Sequence, residues 1–320
     1  MSRNYCGNFG PMIENFLEYK ESLGYSKSTY EGFLAEFDKF CTLNHPQAIA
    51  LTKGLILDWG TRRQTEKQSG YRRRLSTLRE FGKFLDATSS PAYIIPSGFS
   101  GSSPQYTPYI FSDEELTKLF ESADRLKMNG QSPNRHIVLP VLLRLIYFCG
   151  LRPNEGRELK TVDIDLESGI LLIRGNKTHR ERLVPMSDDM LGLCKTYANN
   201  LSGESEYFFP TIDGKPYSAK WLTRLFLKVW NIATADNVNH PRVRVYDLRH
   251  RYATTVMMKW LDEGADLYSK LPYLSIYMGH SKYSATAYYI HLLPAHLTKT
   301  KSIDWQTFSD MIPEVSSWEL

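Results

Sequence analysis

Apolar residues recur at helical spacing through most of the chain, interrupted by one strand-like stretch near the middle. Ile13, Phe16, Leu17 and Tyr19 mark a first amphipathic helix that ends near Gly24. Ser28-Thr29-Tyr30-Glu31 has the form of a capping box, with Phe33, Leu34, Phe37 and Phe40 repeating behind it. Thr52 is placed to cap a third helix through Leu55, Ile56 and Trp59. Leu75, Leu78, Phe81, Phe84 and Leu85 form the buried stripe of a fourth helix, with Gly82 weakening it locally. Four helices of this length can close one small core, so residues 1–96 read as a helical domain.

Residues 97–108 hold Gly98, Ser100, Gly101, Ser102, Ser103, Pro104 and Pro108, and read as an interdomain linker. A second domain is expected over 109–298. It opens with a capping box at Ser112-Asp113-Glu114-Glu115 and continues into the apolar helix of Val138, Leu139, Leu142, Leu145 and Ile146, which Gly150 ends. Between Val162 and Met186 the pattern changes to strands, Ile170–Ile173 and Leu183-Val184-Pro185, with Asn176-Lys177-Thr178-His179-Arg180 at the hairpin. Helical spacing returns at Trp221, Leu222, Leu225, Phe226, Val229 and Trp230. The fold class is mainly α with a small antiparallel β-sheet. The tail 299–320 carries Ile303, Trp305, Phe308, Met311 and Ile312 among Asp304, Asp310 and Glu314. It reads as an acidic amphipathic helix that packs on its own domain or on a neighbouring subunit.

Composition narrows the class without deciding it. A chain of 320 residues has room for two cores, and its apolar and charged fractions are ordinary for a globular protein. Cys6, Cys41, Cys149 and Cys194 are scattered, as expected of inert thiols in a reducing cytoplasm. The first residues lack the apolar core of a signal peptide, and no apolar run approaches the ~20 residues that span a bilayer. A cytoplasmic protein with no membrane partner is expected. No P-loop and no pair of ligands at metal spacing occur, so neither a cofactor nor a metal is expected.

Charge is more telling in its distribution than in its sum. Arg62, Arg63, Lys67, Arg72, Arg73, Arg74, Arg79 and Lys83 face only Glu66 and Glu80, a local excess of six cations against +4 for the whole chain. Such a run is either a solvated face or a helix laid against DNA phosphates.

Four separated places hold groups suited to a phosphodiester: Arg152, Lys177, the stretch from Arg249 to His280, and Tyr289. Two guanidiniums can hold non-bridging oxygens in fixed forks. A phenol can attack phosphorus and keep the bond energy as a phosphotyrosine, so strand exchange needs no nucleotide. Lys177 at a hairpin tip suits a general acid for the leaving 5′ oxygen, and His280 at a glycine turn suits a hydrogen-bond donor to phosphate.

With these motifs in order, the chain resembles the tyrosine recombinases of the phage-integrase family. Gly-Leu-Arg152-Pro-Asn-Glu155 resembles the first arginine box. Lys177 with Arg182-Leu-Val-Pro matches the lysine hairpin, and Asp247-Leu-Arg249-His250 resembles the second arginine box. Met278-Gly279-His280 with Tyr289 and His291 matches the closing box that ends in the nucleophile.

The resemblance implies a SAM-like core-binding first domain and a catalytic second domain, in the simple two-domain arrangement without an arm-binding domain. It implies Arg152, Lys177, Arg249, His280 and the nucleophile Tyr289 as catalytic residues, with Tyr288 as the adjacent rival. Double-stranded DNA is the implied partner, bound by a homo-tetramer on paired sites, with accessory proteins undefined. The implied activity is site-specific recombination through a 3′-phosphotyrosine, serving integration, excision or resolution of a mobile element. A type IB topoisomerase-like enzyme and a non-catalytic DNA-binding regulator on the same fold are the alternatives. One position departs from the pattern. Tyr246 stands where the family usually has histidine, and a phenol donates to phosphate but accepts protons poorly near neutrality.

Overall fold

The computed structural model describes residues 5–88, 90–102, 106–175, 181–201, 203–235 and 241–292, with the backbone alone at His291. The chain divides into two compact units that part between Tyr106 and Thr107.

The first unit is built from α1 (Gly10–Ser22), α2 (Glu31–Asn44), α3 (Lys53–Trp59) and α4 (Gln68–Ala87). Phe9, Ile13, Phe16, Leu34, Phe37, Ile56, Leu75, Leu78 and Phe81 are almost fully buried and form its core, at the helical spacing read from the sequence. Thr52 accepts from the Leu55 N–H at 3.3 Å and caps α3. The expected box at Ser28 does not form. Lys27–Thr29 make a short 3₁₀ turn, α2 begins after Tyr30, and the Ser28 hydroxyl pairs with that of Ser26 at 2.7 Å. Gly82 is accounted for by a close approach, since a Cβ there would lie 3.2 Å from the Tyr93 carbonyl and 3.3 Å from Leu51.

The start of the expected linker belongs to this unit. Ser97–Ser100 form a 3₁₀ turn whose Ser100 carbonyl accepts from Gln68 at 2.6 Å. Arg79 donates to the carbonyls of Ile95, Pro96 and Ser97 at 2.8, 2.7 and 3.0 Å. Backbone polar groups that sequence composition assigned to a free tether are therefore satisfied by α4.

The second unit is organised around α6 (Arg135–Phe148), which is apolar on nearly every side and packs against α5 (Asp113–Asp124), α8 (Asp188–Asn200) and α10 (Val245–Asp262). The Ser112 capping box of α5 is present with both of its hydrogen bonds. A short α7 (Pro153–Arg157) follows α6. Strands β1 (Ile164–Asp165), β2 (Ile170–Ile173) and β3 (Arg182–Pro185) form an antiparallel sheet in the order β1-β2-β3, with Leu171 opposite Val184 and Ile173 opposite Arg182. α9 (Ala219–Ala233), α11 (Leu267–Met278) and α12 (Ser284–Ala287) complete the unit, and a 3₁₀ turn over Tyr288–Leu292 closes it. The hairpin tip with Lys177 and the tail 299–320 lie outside the described residues.

Candidate active site

Three chain reversals bring the site together. Gly150 ends α6 at φ +58°, where a Cβ would meet the Tyr252 ring at 2.5 Å, and the Leu151 N–H returns to the Ile146 carbonyl at 3.0 Å. Arg152 then stands at the N-cap of α7 with Pro153 at its first position. Glu155, one turn on, accepts from the Arg152 N–H at 2.8 Å and from its Nη1 at 2.6 Å. The second Arg152 arm donates to the Gly279 carbonyl at 2.5 Å.

The second reversal starts α10, where Asp247 accepts from the Arg244 N–H at 2.8 Å. This turn presents Tyr246, Arg249 and His250 on one helical face. Arg249 is wholly buried. It donates to the Gly150 carbonyl at 2.6 Å and to the Met278 carbonyl, and its Nη2 lies 3.2 Å from His280 Nε2. Among the described residues its Nε has no hydrogen-bond partner. Tyr246 reaches the same place: its ring lies 5.0 Å from that of His250, and its phenol acts electrostatically on Arg152, Arg249 and Tyr289.

The third reversal is the end of α11, where Gly279 takes the left-handed conformation at φ +63° and the His280 N–H returns to Ser275. His280 Nδ1 sits 2.7 Å from the buried Thr286 hydroxyl. A guanidinium only donates, so Nε2 accepts from Arg249 and Nδ1–H donates to Thr286. Burial, with Arg249, Arg152 and Arg182 behind it, pushes the His280 pKa down to about 3. Burial and the charges of Arg249 and Arg244 push His250 down to about 4. Both imidazoles are neutral near pH 7.

Tyr289 lies in this cluster at 2% exposure, its ring 5.4 Å from that of His250 and 5.9 Å from that of His280. Burial pushes its phenol up to about 12, against Arg249, which lowers it by charge and by a hydrogen bond. Tyr288 is only half-buried, with its ring centroid 6.5 Å away. Glu155 is held down at about 2. Burial opposes this, and the Arg182 hydrogen bonds and charge overcome it, helped by the Arg152 N–H and Arg249.

The structure thus brings together Arg152, Tyr246, Arg249, His280 and Tyr289. Lys177 lies outside the described residues. Sequence reasoning assigned no role to Arg182 or Thr286. Arg182 stood inside a quoted motif, while Thr286 carried no signal until its partner was visible. Among the described residues no cluster of His, Cys, Asp and Glu is arranged to hold a metal ion.

The basic run on the first unit needs correction at Arg74. Its side chain is fully buried, paired with Glu66 at 2.8 Å and bonded to the carbonyls of Trp59 and Thr61. It is a core residue that ties α4 to the end of α3, and it is not available to DNA. Arg79 is likewise committed to the carbonyls of residues 95–97. Lys67 and Arg73 are exposed. In the second unit, Lys220, Thr223, Arg224, Lys228 and Asn231 line the exposed face of α9, a basic surface that the apolar pattern of this helix concealed.

The Phage integrase family model matches residues 111–296, more than half of the chain. The chain belongs to the phage integrase family. As a tyrosine recombinase of the phage integrase family it breaks and rejoins DNA. It is 30% identical over 291 residues to a Sinorhizobium fredii protein named as an integrase/recombinase, y4rE, covering 88% of this chain and 91% of that one. It is 28% identical over 306 residues to tyrosine recombinase XerC of Oceanobacillus iheyensis, covering 89% and 92%. In fold, this phage-integrase chain matches the XerH site-specific recombinase bound to palindromic difH substrate, with a TM-score of 0.64 at 21% identity over 94% of this chain and 85% of that one. It also matches the Tn1549 transposon integrase in complex with transposon right end DNA, with a TM-score of 0.62 at 12% identity over 94% and 98%.

Proposed function

We propose that the protein exchanges DNA strands at a specific site through a 3′-phosphotyrosine on Tyr289, in the integration, excision or resolution of a mobile element. The observation that carries this reading is the convergence of Arg152, Tyr246, Arg249 and His280 on the Tyr289 phenol. Arg152 and Arg249 hold the non-bridging oxygens, where charge develops in the transition state. Tyr246 donates a hydrogen bond to the same phosphate, in the place of the family's usual histidine. His280, expected from the sequence to donate to phosphate, has both ring nitrogens engaged by Arg249 and Thr286, and its part is to orient Arg249. The Tyr289 phenol gives up its proton to water as its oxygen attacks phosphorus, the bond to the 5′ oxygen breaks, and Lys177 protonates the leaving oxygen as general acid. The phosphotyrosine keeps the bond energy for rejoining, which is why no cofactor is assigned.

The first unit serves as the core-binding domain, with Lys67 and Arg73 on phosphates, and the second is the catalytic domain. The α9 face adds Lys220, Arg224 and Lys228 to the double-stranded DNA contact. Four protomers act on two paired sites, with the tail 299–320 as the subunit contact. A cytoplasmic location follows from the DNA substrate. The names of its relatives, which include integrases and Xer recombinases, support recombination as the role.

The test is a supercoiled plasmid carrying two copies of a core site mapped by footprinting. Recombinant products that need both copies support the reading. Relaxation of any plasmid without recombinants assigns a topoisomerase activity instead, and binding with neither product assigns a regulator.

A further inference from the structure

A helix leaves its last carbonyls without partners and carries the negative end of its dipole there. At the end of α11 the three successive carbonyls of Tyr277, Met278 and Gly279 each receive one guanidinium, from Arg182, Arg249 and Arg152 respectively. The three arginines come from three segments: the start of β3, the first turns of α10 and the N-cap of α7. Two of them serve the phosphate in the reading above. The third has no assigned part.

Arg182 differs from the other two in that its two terminal nitrogens take both oxygens of one carboxylate. Its side chain is 9% exposed, and its donors are turned to protein acceptors. Nε donates to the Tyr277 carbonyl at 2.7 Å, while Nη1 and Nη2 fork onto the two oxygens of Glu155 at 3.0 and 2.7 Å. The guanidinium also lies against Gly279, where a Cβ would come within 3.0 Å of Nη1 and 3.3 Å of Cζ.

We infer that Arg182 is a positioning residue of this active site: by occupying both Glu155 oxygens and the Tyr277 carbonyl, it aims Arg152 and the His280 turn at the scissile phosphate. The physical reason lies in how Glu155 is shared. Its Oε1 already accepts from Arg152 Nη1 at 2.6 Å. With Arg182 removed, both carboxylate oxygens become available to Arg152, and a bidentate Arg–carboxylate pair competes directly with phosphate for the same fork. The balance of charge changes in the same direction. Arg152, Arg182 and Arg249 with Glu155 leave an excess of two positive charges around the site, and without Arg182 that excess falls to one. A phosphoryl-transfer transition state develops negative charge that this excess stabilises.

The inference deepens the reading of Arg152 as a phosphate ligand and rests on it. The experiment is single-turnover cleavage of a nicked suicide duplex carrying the core site, run with a normal scissile phosphate and with a methylphosphonate. The methylphosphonate lacks one charged oxygen, so it has little need of the guanidinium array. Arg182→Lys keeps a charge but loses the fork, and Arg182→Met removes both. On phosphate, both variants should cleave at least about tenfold more slowly, with DNA affinity within about twofold of the parent. On methylphosphonate the deficit should shrink to less than about threefold, as it should for Arg152→Ala. A variant that merely disturbs the fold would be equally slow on both substrates, and that result overturns the inference. So does parental cleavage on phosphate by Arg182→Lys, which also decides the case if Arg182→Met does not fold. Arg152→Ala is the control: if it shows no methylphosphonate rescue, the phosphate-ligand reading fails. If Arg152→Ala is rescued and the Arg182 variants are not, only the role of Arg182 fails.

Discussion

The Tyr246 phenol acts electrostatically on the guanidinium of Arg152, so the one residue that departs from the family pattern sits inside the site. A hydrogen bond to a charged partner, here the phosphate, is worth about 1.5–3 kcal/mol, or roughly ten- to a hundredfold in rate if it acts only in the transition state. Tyr246→Phe should therefore lower single-turnover cleavage by about tenfold or more with little change in DNA affinity. Tyr246→His should restore cleavage. An unchanged rate in Tyr246→Phe removes this residue from the chemistry.

The histidines set the acid limit of stability. In an unfolded chain both titrate near 6.5, whereas the fold holds His250 at about 4 and His280 at about 3. Their folded pKa values are depressed, so the stability they contribute is complete above about pH 6.5 and is lost as pH falls through those values. For His250 the full span is on the order of 3 kcal/mol. Glu155 adds a second loss below about pH 4.5, as pH falls towards its folded value of about 2. Urea midpoints taken from pH 8 to 4 should fall more steeply for the parent than for His280→Asn. Parallel curves would contradict the neutral, buried imidazole.

Much of the fold was legible in the apolar pattern. Stripes such as Leu75, Leu78 and Phe81 repeat at helical spacing because one face of α4 meets the core. Local chemistry was legible where both partners are close in sequence, as at Ser112 and Glu115. It misled at Ser28, because the chain adds a 3₁₀ turn before α2 starts. Arg74 read as surface charge, since its acceptors come from tertiary packing: the Glu66 carboxylate, the carbonyl of Trp59 at the end of α3 and that of Thr61 just after it. The site shows the same division. Its residues were marked by four motifs, while the contacts that assemble it join α7, α10 and the end of α11 across long separations. Arg182 and Glu155 each lay in a quoted motif, and only the fold pairs them with each other and with the Tyr277 carbonyl.

Arg74 and Arg73 are adjacent and should behave in opposite ways. Arg74→Ala strips a buried partner from Glu66 and should destabilise the protein by about 3–5 kcal/mol. Arg73→Ala should leave thermal stability unchanged, weaken DNA binding and reduce the slope of affinity against salt by about one ion. Melting curves and binding isotherms at several salt concentrations check both. Equal loss of stability in the two variants would contradict the separation.

Gly279 is required twice, by its left-handed backbone at φ +63° and by the Arg182 guanidinium against it. Gly279→Ala should lower stability by about 1–2 kcal/mol, because an L-residue is strained in that conformation. Cleavage should fall further than this, since the turn that carries His280 and accepts from Arg152 moves with it. A variant with parental cleavage rate would show that the turn does not set the site.

The most direct measurement is covalent trapping on a nicked suicide duplex that carries the core site. The parent and Tyr288→Phe should each accumulate a DNA adduct attached at the 3′ phosphate, and peptide mapping should place it on Tyr289. Tyr289→Phe should form none while binding the duplex as the parent does. An adduct that persists in Tyr289→Phe, or that maps to Tyr288, would contradict the account.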